Sequence, residues 1–286
     1  MPTLRAVKRR IGAVKNTQQV TRAMKMVSAA RMKKAQLNME RARPYSGKVA
    51  ELLQHVLPSI SRDTHPLLKI HSPIEKAGFV IITADRGLCG SFNTKIIKLA
   101  ENKIAETGKE KCSLICIGRR GNDYFRKRGY NVIGSYVNFF NELDFGHAVQ
   151  IVEQINNLYV KEGLGEVHVI YNRFKNMLTQ ELRAERFLPL LLEENESVKY
   201  EQCLFEPGKP EIVHSLVPRH LNVQMWQYLL ESNASEQTAR MVAMDNATTN
   251  AEDLLKRLQL TYNKTRQAVI TREILEVVSG AEAMKQ

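Results

Sequence analysis

The sequence predicts an α/β protein in which long N- and C-terminal helices pair as an antiparallel coiled coil. Three observations predict this fold: an apolar stripe of helical spacing near the N-terminus, short strands alternating with helices in the middle, and a heptad row near the C-terminus. We expect an N-terminal helical segment at 1–57, an α/β domain at 75–200 and a C-terminal helical segment at 210–286. The expected architecture is a rod mounted on a globular domain.

The N-terminal helix is predicted from apolar residues at alternating intervals of three and four. These residues are Leu4, Val7, Ile11 and Val14. The stripe then turns small and polar, while a helix-forming composition continues to about Ala42. Pro44 is expected to bend the helix rather than end it, and further helix is expected to about Leu57.

The middle of the chain alternates between β-branched segments and amphipathic segments. Strands are predicted at 78–85, 112–118, 131–137, 166–174 and 180–190, with helices between them. This alternation indicates a Rossmann-like α/β domain with a largely parallel sheet. Residues 205–220 hold three prolines and are expected to form a connection.

The C-terminal segment from about Leu221 to Ser279 contains neither proline nor glycine, and it predicts one long helix. Its heptad row includes Ala251, Leu254, Leu258, Thr261, Thr265 and Ala268. The N-terminal stripe is too short to stabilise a free helix, and the heptad row has no partner close to it in sequence. We therefore expect the two helices to pair with each other in antiparallel orientation.

The positive charge of the chain is concentrated at its N-terminus. Residues 1–39 hold ten Lys and Arg and no acidic residue, whereas the whole chain has a net charge of +12. A helix with charge of one sign indicates an acidic partner. The ten residues are Arg5, Lys8, Arg9, Arg10, Lys15, Arg22, Lys25, Arg31, Lys33 and Lys34.

Three classes of partner are compatible with this basic helix. Nucleic acid would use the charge, but no aromatic residue that could stack on bases precedes Tyr45. A membrane surface would require bulky apolar anchors such as Trp or Phe, and the segment has none. An acidic protein surface is favoured. A mitochondrial transit peptide is a rival interpretation, which the abundance of lysine and the single serine, Ser28, disfavour.

No catalytic, cofactor or metal site is predicted. The segment "TADRGLCGSFN" (83–93) leaves a strand and enters a helix, where backbone amides can cradle a phosphate. Its glycines fit neither G-x-G-x-x-G nor the P-loop, so a plain turn is expected. Glu142 and Asp144 are expected to be solvated. The cysteines form no C-x-x-C pair and are expected to be structural thiols in a reducing compartment; they are Cys89, Cys112, Cys116 and Cys203.

Four segments closely resemble the γ-subunit family of F-type ATP synthases: "KNTQQVTRAMKMVSAARMKKAQ" (15–36), "TADRGLCGSFN" (83–93), "ASEQTARMVAMDNATTNAEDL" (234–254) and "LQLTYNKTRQAVITREILEVVSGAEAM" (258–284). The resemblance implies a rotary shaft whose coiled coil fills the bore of a catalytic head of α and β subunits. It also implies that the α/β domain sits with ε on the c-subunit ring. ATP chemistry would then belong to β, and this chain would be non-catalytic.

The resemblance further implies which residues contact a partner. In the family an acidic loop of β bears on the shaft, and the matching positions here are Arg22, Lys25, Arg266 and Gln267, with Lys33 on the same basic helix. The implied location is the cytoplasmic side of a cell inner membrane, reached indirectly through the complex, with no nucleic acid bound. Chloroplast members carry a dithiol insertion around 195–215, where this chain has only Cys203, so thiol switching is not expected. A basic coiled-coil adaptor or nucleic-acid-binding protein with an α/β domain stays open as the alternative.

Overall fold

The computed structural model describes residues 3–70, 76–161, 163–177, 179–190 and 205–283, so Cys203 lies outside the described residues. The helices are α1 (Leu4–Val56), α2 (Phe92–Thr107), α3 (Arg119–Lys127), α4 (Phe145–Lys161) and α5 (Lys209–Ala283). The strands are β1 (Ala77–Ile82), β2 (Cys112–Ile117), β3 (Val132–Tyr136), β4 (Glu166–Phe174) and β5 (Gln180–Leu188). The chain divides into a coiled-coil unit (Met1–Ser28 with Arg240–Gln286) and a sheet unit (Ala29–Ala239).

The sheet has the strand order β3-β2-β1-β4-β5. The first four strands are parallel, and β5 pairs antiparallel with β4. Along β1, Val80 and Ile82 belong to one hydrophobic cluster, while Phe79 and Ile81 belong to another. Because successive side chains point to opposite faces, this strand is buried on both sides, as parallel sheets usually are. The predicted, largely parallel α/β fold is confirmed.

Helices cover both faces of the sheet. On one face α4 packs Ile151 and Ile155 together with Leu53 of α1 and Leu221 of α5. The opposite face is covered by α2 and α3, whose buried side chains are Phe92, Ile96, Ala100, Ile104 and Phe125. The second half of α1, from Ala29, and the first part of α5, up to Ala239, are thus part of the sheet unit.

Three prolines lie within the bounds of α1 and α5. The helix α1 runs unbroken through Pro44, and α5 begins at Lys209, so the expected connection at 205–220 is wrong for most of its length. Pro210 is the second residue of α5, where a missing N–H costs no intrahelical hydrogen bond. Pro218 does cost one, but Val217 and Leu221 beside it are fully buried, and their packing offsets the loss.

Candidate partner-contact surface

Two contacts set the register of the paired helices in the coiled-coil unit. Lys25 Nζ of α1 lies 2.6 Å from Asp245 Oδ1 of α5. The hydroxyl oxygens of Thr21 and Thr248 lie 2.8 Å apart. Since the lower position on α1 faces the higher position on α5, the helices run antiparallel.

The inner row of α1 follows a heptad. Val7, Thr21 and Ser28 are buried at multiples of seven, and Leu4, Ile11, Val14 and Gln18 between them are half-buried. Beyond Val14 the buried residues of this row are the small polar Thr21 and Ser28, so the backbones of the two helices can approach closely there. Hydrogen bonding such as that between Thr21 and Thr248 then accompanies packing in this part of the pair.

The inner row of α5 differs in part from the expected heptad row. Ala251 is buried, and Leu258 and Thr265 are half-buried. By contrast Leu254, Thr261 and Ala268 are exposed, and the exposed fraction of Leu254 is 37%. Their inner places are taken by the next residues along the chain, Leu255 and Tyr262, which are half-buried. Leu254 and Leu255 are both apolar, so sequence alone leaves the choice of row open, and pairing with α1 decides it.

The basic residues of α1 form an exposed surface on the coiled-coil unit. Arg22 is exposed, whereas Lys25 is half-buried and engaged with Asp245. The remaining basic residues of this unit's α1 are exposed: Arg5, Lys8, Arg9, Arg10 and Lys15. The facing segment, 240–286, holds seven basic and six acidic residues and is nearly neutral. The pair therefore has one strongly positive side and one nearly neutral side. Lys33 is exposed on the sheet unit.

The expected contact residues do not form one patch. Arg266 and Gln267 are exposed on α5, like Arg22 on α1. Extending the antiparallel register from Thr21 and Thr248 brings Arg266 beside the first residues of α1. At 1.5 Å per residue this level lies about 28 Å along the pair from Arg22. The expected contact residues therefore fall into two separate groups.

The end of α5 exposes large apolar side chains that the sequence analysis did not single out. In the register set by Lys25 and Asp245, α5 from about position 267 onward extends past the start of α1 at Leu4. Its exposed apolar residues are Val269, Ile270, Ile274, Leu275, Val277 and Val278. They lie on several sides of the helix. This distribution is typical of helices that are buried on all sides, and it could have been seen in the sequence.

The turn at 83–93 uses its polar groups to hold its own loops together. Asp85 Oδ1 accepts hydrogen bonds from the backbone N–H groups of Arg119 (3.0 Å) and Asn138 (2.9 Å). The Asn93 Oδ1 atom accepts one from Ala84 N–H at 2.9 Å, and Thr83 Oγ1 accepts one from Gly121 N–H at 2.9 Å. This arrangement fixes the carboxyl ends of β1 and β2, and it is consistent with the plain turn expected from the sequence.

The described cysteines are buried: Cys89, Cys112 and Cys116. Burial raises the pKa of Cys112, and it raises the pKa of Cys116 to about 12.

Glu142 and Asp144 are exposed, and Asp144 Oδ2 accepts a hydrogen bond from Gly146 N–H at the start of α4. Among the described residues no cluster of three or more His, Cys, Asp or Glu could hold a metal ion. Nor does any described helix have the length and apolarity to cross a membrane.

Comparison with known proteins gives full-length matches. A family model described as ATP synthase matches residues 3–284. The chain is 47% identical to the ATP synthase gamma chain of Chloroherpeton thalassium, covering 100% of this chain and 99% of that one. It is 45% identical to the ATP synthase gamma chain of Chlorobaculum parvum, with both chains fully covered.

Solved structures with a similar fold come from two mitochondrial ATP synthases. A chain of the Tetrahymena thermophila central stalk and c-ring structure is 27% identical with a TM-score of 0.61, covering 80% of this chain and 99% of that one. A chain of the Euglena gracilis OSCP/F1/c-ring structure has a TM-score of 0.74 at 22% identity, covering 98% and 94% of the two chains. The second likeness concerns the fold alone.

Proposed function

Because the chain belongs to the ATP synthase gamma chain family, we propose how it works as the central rotary shaft of an F-type ATP synthase. Proton flow turns the ring of c subunits, and the shaft turns with the ring. The catalytic sites on the β subunits respond by synthesising ATP, or drive the rotation in reverse by hydrolysing it. In this proposal the chain transmits torque.

The observation that carries the proposal is the exposed apolar end of α5. Six large apolar side chains between Val269 and Val278 are exposed and lie beyond the reach of α1. Exposed apolar area costs about 25 cal/mol per Å² relative to burial, so this end is stabilised when other chains surround it. We assign that role to the α and β subunits of the catalytic head. We call the surface of α and β around this end the apolar sleeve. Apolar contacts do not require one fixed angle, as hydrogen bonds do, so they are compatible with rotation of the shaft.

Coupling follows from the uneven charge of the shaft. The α1 side of the coiled-coil unit is strongly positive, and the facing segment of α5 is nearly neutral. As the shaft turns, each β subunit in succession meets a different side, and its acidic loop is attracted most strongly by the α1 side. A difference in contact energy between partner conformations is what shifts their nucleotide affinities.

We assign the contacts with the acidic loop of β to two levels of the coiled-coil unit and to Lys33 on the sheet unit. Arg22 with Lys25 would act at one level, and Arg266 with Gln267 at the other. The seam of Leu4, Val7, Ile11 and Val14 against the heptad row of α5 would keep the shaft rigid enough to carry torque. In functional terms, segments 1–57 and 210–286 form the shaft, and segment 75–200 meets ε and the c ring.

We further propose that the chain is non-catalytic and binds no nucleotide or nucleic acid. Its sequence contains no P-loop motif, and the polar groups of the turn at 83–93 hold its own loops. The chain would associate with the cytoplasmic face of a cell inner membrane through the complex. Purified alone, it should show no ATPase activity. Hydrolysis by a preparation free of β would contradict this part of the proposal.

The proposal is tested by substituting serine for Ile274, Leu275 and Val278 in a tagged chain. These side chains are exposed, so the thermal stability of the isolated chain should change little. Co-purification of α and β from native membranes should fall several-fold, because the apolar contact is lost. The matched control substitutes serine for the exposed polar residues Thr271, Arg272 and Glu273 on the same turns of α5. Undiminished recovery of α and β with the apolar triple variant would overturn the sleeve assignment.

A further inference from the structure

A cavity of about 620 Å³ lies in the sheet unit between α1, the start of α4 and α5. Its α5 wall is built by residues at intervals of three and one along a single face of the helix: Ser215, Pro218, Arg219, Asn222, Val223 and Trp226. Tyr45 of α1 and Phe145, the first residue of α4, close the other sides. A cavity of this size lies within the range of small-molecule sites. None of these residues is among the contact and seam residues assigned to the shaft above.

The walls combine aromatic faces with one cation. Phe145 and Trp226 meet edge to face with centroids 6.0 Å apart. Arg219 is the one charged residue among the described residues that line the cavity. Its Nε donates a hydrogen bond to the Tyr45 hydroxyl, and its guanidinium carbon lies 5.5 Å from the Tyr45 ring centroid. These two contacts hold the guanidinium at the cavity wall, where its other N–H groups have donor capacity left.

Asn222 also lines the cavity. Its Oδ1 atom is buried and accepts no hydrogen bond from the described residues, and because it is buried it is not open to a ligand in the cavity. The cavity thus offers aromatic surfaces and one cationic donor.

We propose that this cavity is a binding site for an aromatic amphiphile that carries one anionic group. The rings pack against Trp226 and Phe145, and the anion pairs with Arg219. Such a ligand contacts α1, α4 and α5 together and fastens these three helices of the sheet unit to one another.

The test uses two dyes and the full-length chain. 8-Anilinonaphthalene-1-sulfonate has two aromatic ring systems, an N–H donor and a sulfonate, whereas N-phenyl-1-naphthylamine lacks the sulfonate. Trp226 is the only tryptophan of the chain, so quenching of its emission reports binding at this cavity. We expect the sulfonated dye to quench Trp226 and to bind about tenfold more tightly than the neutral dye, because it gains a charge-assisted hydrogen bond.

Three variants decide the outcome. Arg219→Gln should weaken the sulfonated dye about tenfold and leave the neutral dye within twofold. Ser215→Phe should weaken both dyes by filling the cavity from an exposed helix position without adding a tryptophan. Arg186→Gln removes an exposed arginine elsewhere in the sheet unit and should change neither. Circular dichroism checks folding, and if Ser215→Phe is unfolded, Arg219→Gln decides alone. Dye emission without quenching of Trp226, or equal affinities of the sulfonated dye for wild type and Arg219→Gln, would overturn the proposal.

Discussion

Lys25 and Asp245 form an ion pair at 2.6 Å although 220 residues separate them in the chain. Their side chains retain 41% and 51% of their exposure, so water screens the attraction. Lys25 is one of the cations that the family resemblance assigned to a partner's acidic loop. Lys25 therefore has an alternative partner within its own chain, and Arg22, one turn earlier and exposed, is the freer candidate for contact.

The Lys25–Asp245 pair should contribute little to stability. A double-mutant cycle with Lys25→Ala and Asp245→Ala is expected to give a coupling energy of about 0–1 kcal/mol, because both groups are half exposed. Urea unfolding of the isolated chain measures it. Lys48 and Glu51, also 2.6 Å apart but within one helix, provide a matched control pair. A coupling energy well above that range for Lys25 and Asp245 would show that the pair anchors the register rather than merely accompanying it.

The inner row of α5 predicts opposite behaviour for two adjacent leucines. Leu255→Asp should destabilise the chain by roughly 2 kcal/mol, because a carboxylate replaces a side chain packed against α1. Leu254→Asp should cost less than about 1 kcal/mol, because Leu254 is already exposed. Thermal unfolding followed by circular dichroism compares the two variants. If Leu254→Asp proves the more damaging, the heptad row expected from the sequence is the right one.

The basic residues of α1 should affect the coupling of ATP hydrolysis to proton pumping together rather than one by one. Arg22→Gln is expected to reduce ATP-driven proton pumping less than twofold, because neighbouring cations maintain the potential over a Debye length of about 8 Å. Arg22→Glu combined with Lys33→Glu should lower pumping relative to ATPase rate while the complex still assembles. Lys25 is left unchanged, since its reversal would repel Asp245. Pumping and hydrolysis are measured in the same membrane vesicles.

Arg266 should be the most sensitive single position, because the family resemblance gives it a specific partner rather than a share in the field of many cations. Arg266→Gln is expected to lower pumping by about fivefold, and Arg257→Gln, which removes another exposed arginine of α5, serves as its control. If both the double Glu variant and Arg266→Gln pump like wild type, the basic surface is only solvated and makes no contact that coupling requires.

A buried carboxyl group in the sheet unit predicts a pH-dependent effect. Glu231 of α5 is 1% exposed, and its Oε1 accepts a hydrogen bond from Gln227 Nε2 at 3.1 Å. Arg173 Nε lies 3.8 Å from Oε2, close enough to attract it but too far for a hydrogen bond, and Oε2 accepts no hydrogen bond from the described residues. Burial raises the pKa of Glu231, Glu185 adds to this, and Gln227, Arg173 and Arg43 oppose it.

Glu231→Gln should therefore stabilise the chain at neutral pH. A carboxyl group with a raised pKa binds its proton more tightly in the folded state than in the unfolded state. The stability that this protonation contributes is fully present below the unfolded pKa of 4.5 and is lost as pH rises through the folded pKa. The glutamine variant keeps the contact with Gln227 and has no charge to bury. Urea unfolding should show a gain of roughly 1–2 kcal/mol at pH 7.5 that shrinks at pH 4. A gain independent of pH would exclude ionisation of Glu231 as its cause.

The sequence determined the elements of this protein because helices and strands follow from periodicities within short segments. The stripe of Leu4, Val7, Ile11 and Val14, the β-branched strands and the helix from Leu221 onward could all be predicted. So could the concentration of positive charge before Glu40. Pro218 shows where such reasoning fails: a local rule placed a connection there, and burial of Val217 and Leu221 against the sheet unit overrode the rule.

Only the tertiary structure decided which side of each helix meets which partner. The choice of Leu255 over Leu254, the pairing of Lys25 with Asp245 and the separation of Arg22 from Arg266 all depend on the register between segments more than 200 residues apart. The cavity beside Trp226 likewise requires three helices that are remote in sequence. Periodicity specifies a face of a helix but not its angular and axial position against another helix. That position is set by the packing of small side chains and by contacts such as that of Thr21 with Thr248, which no single segment contains.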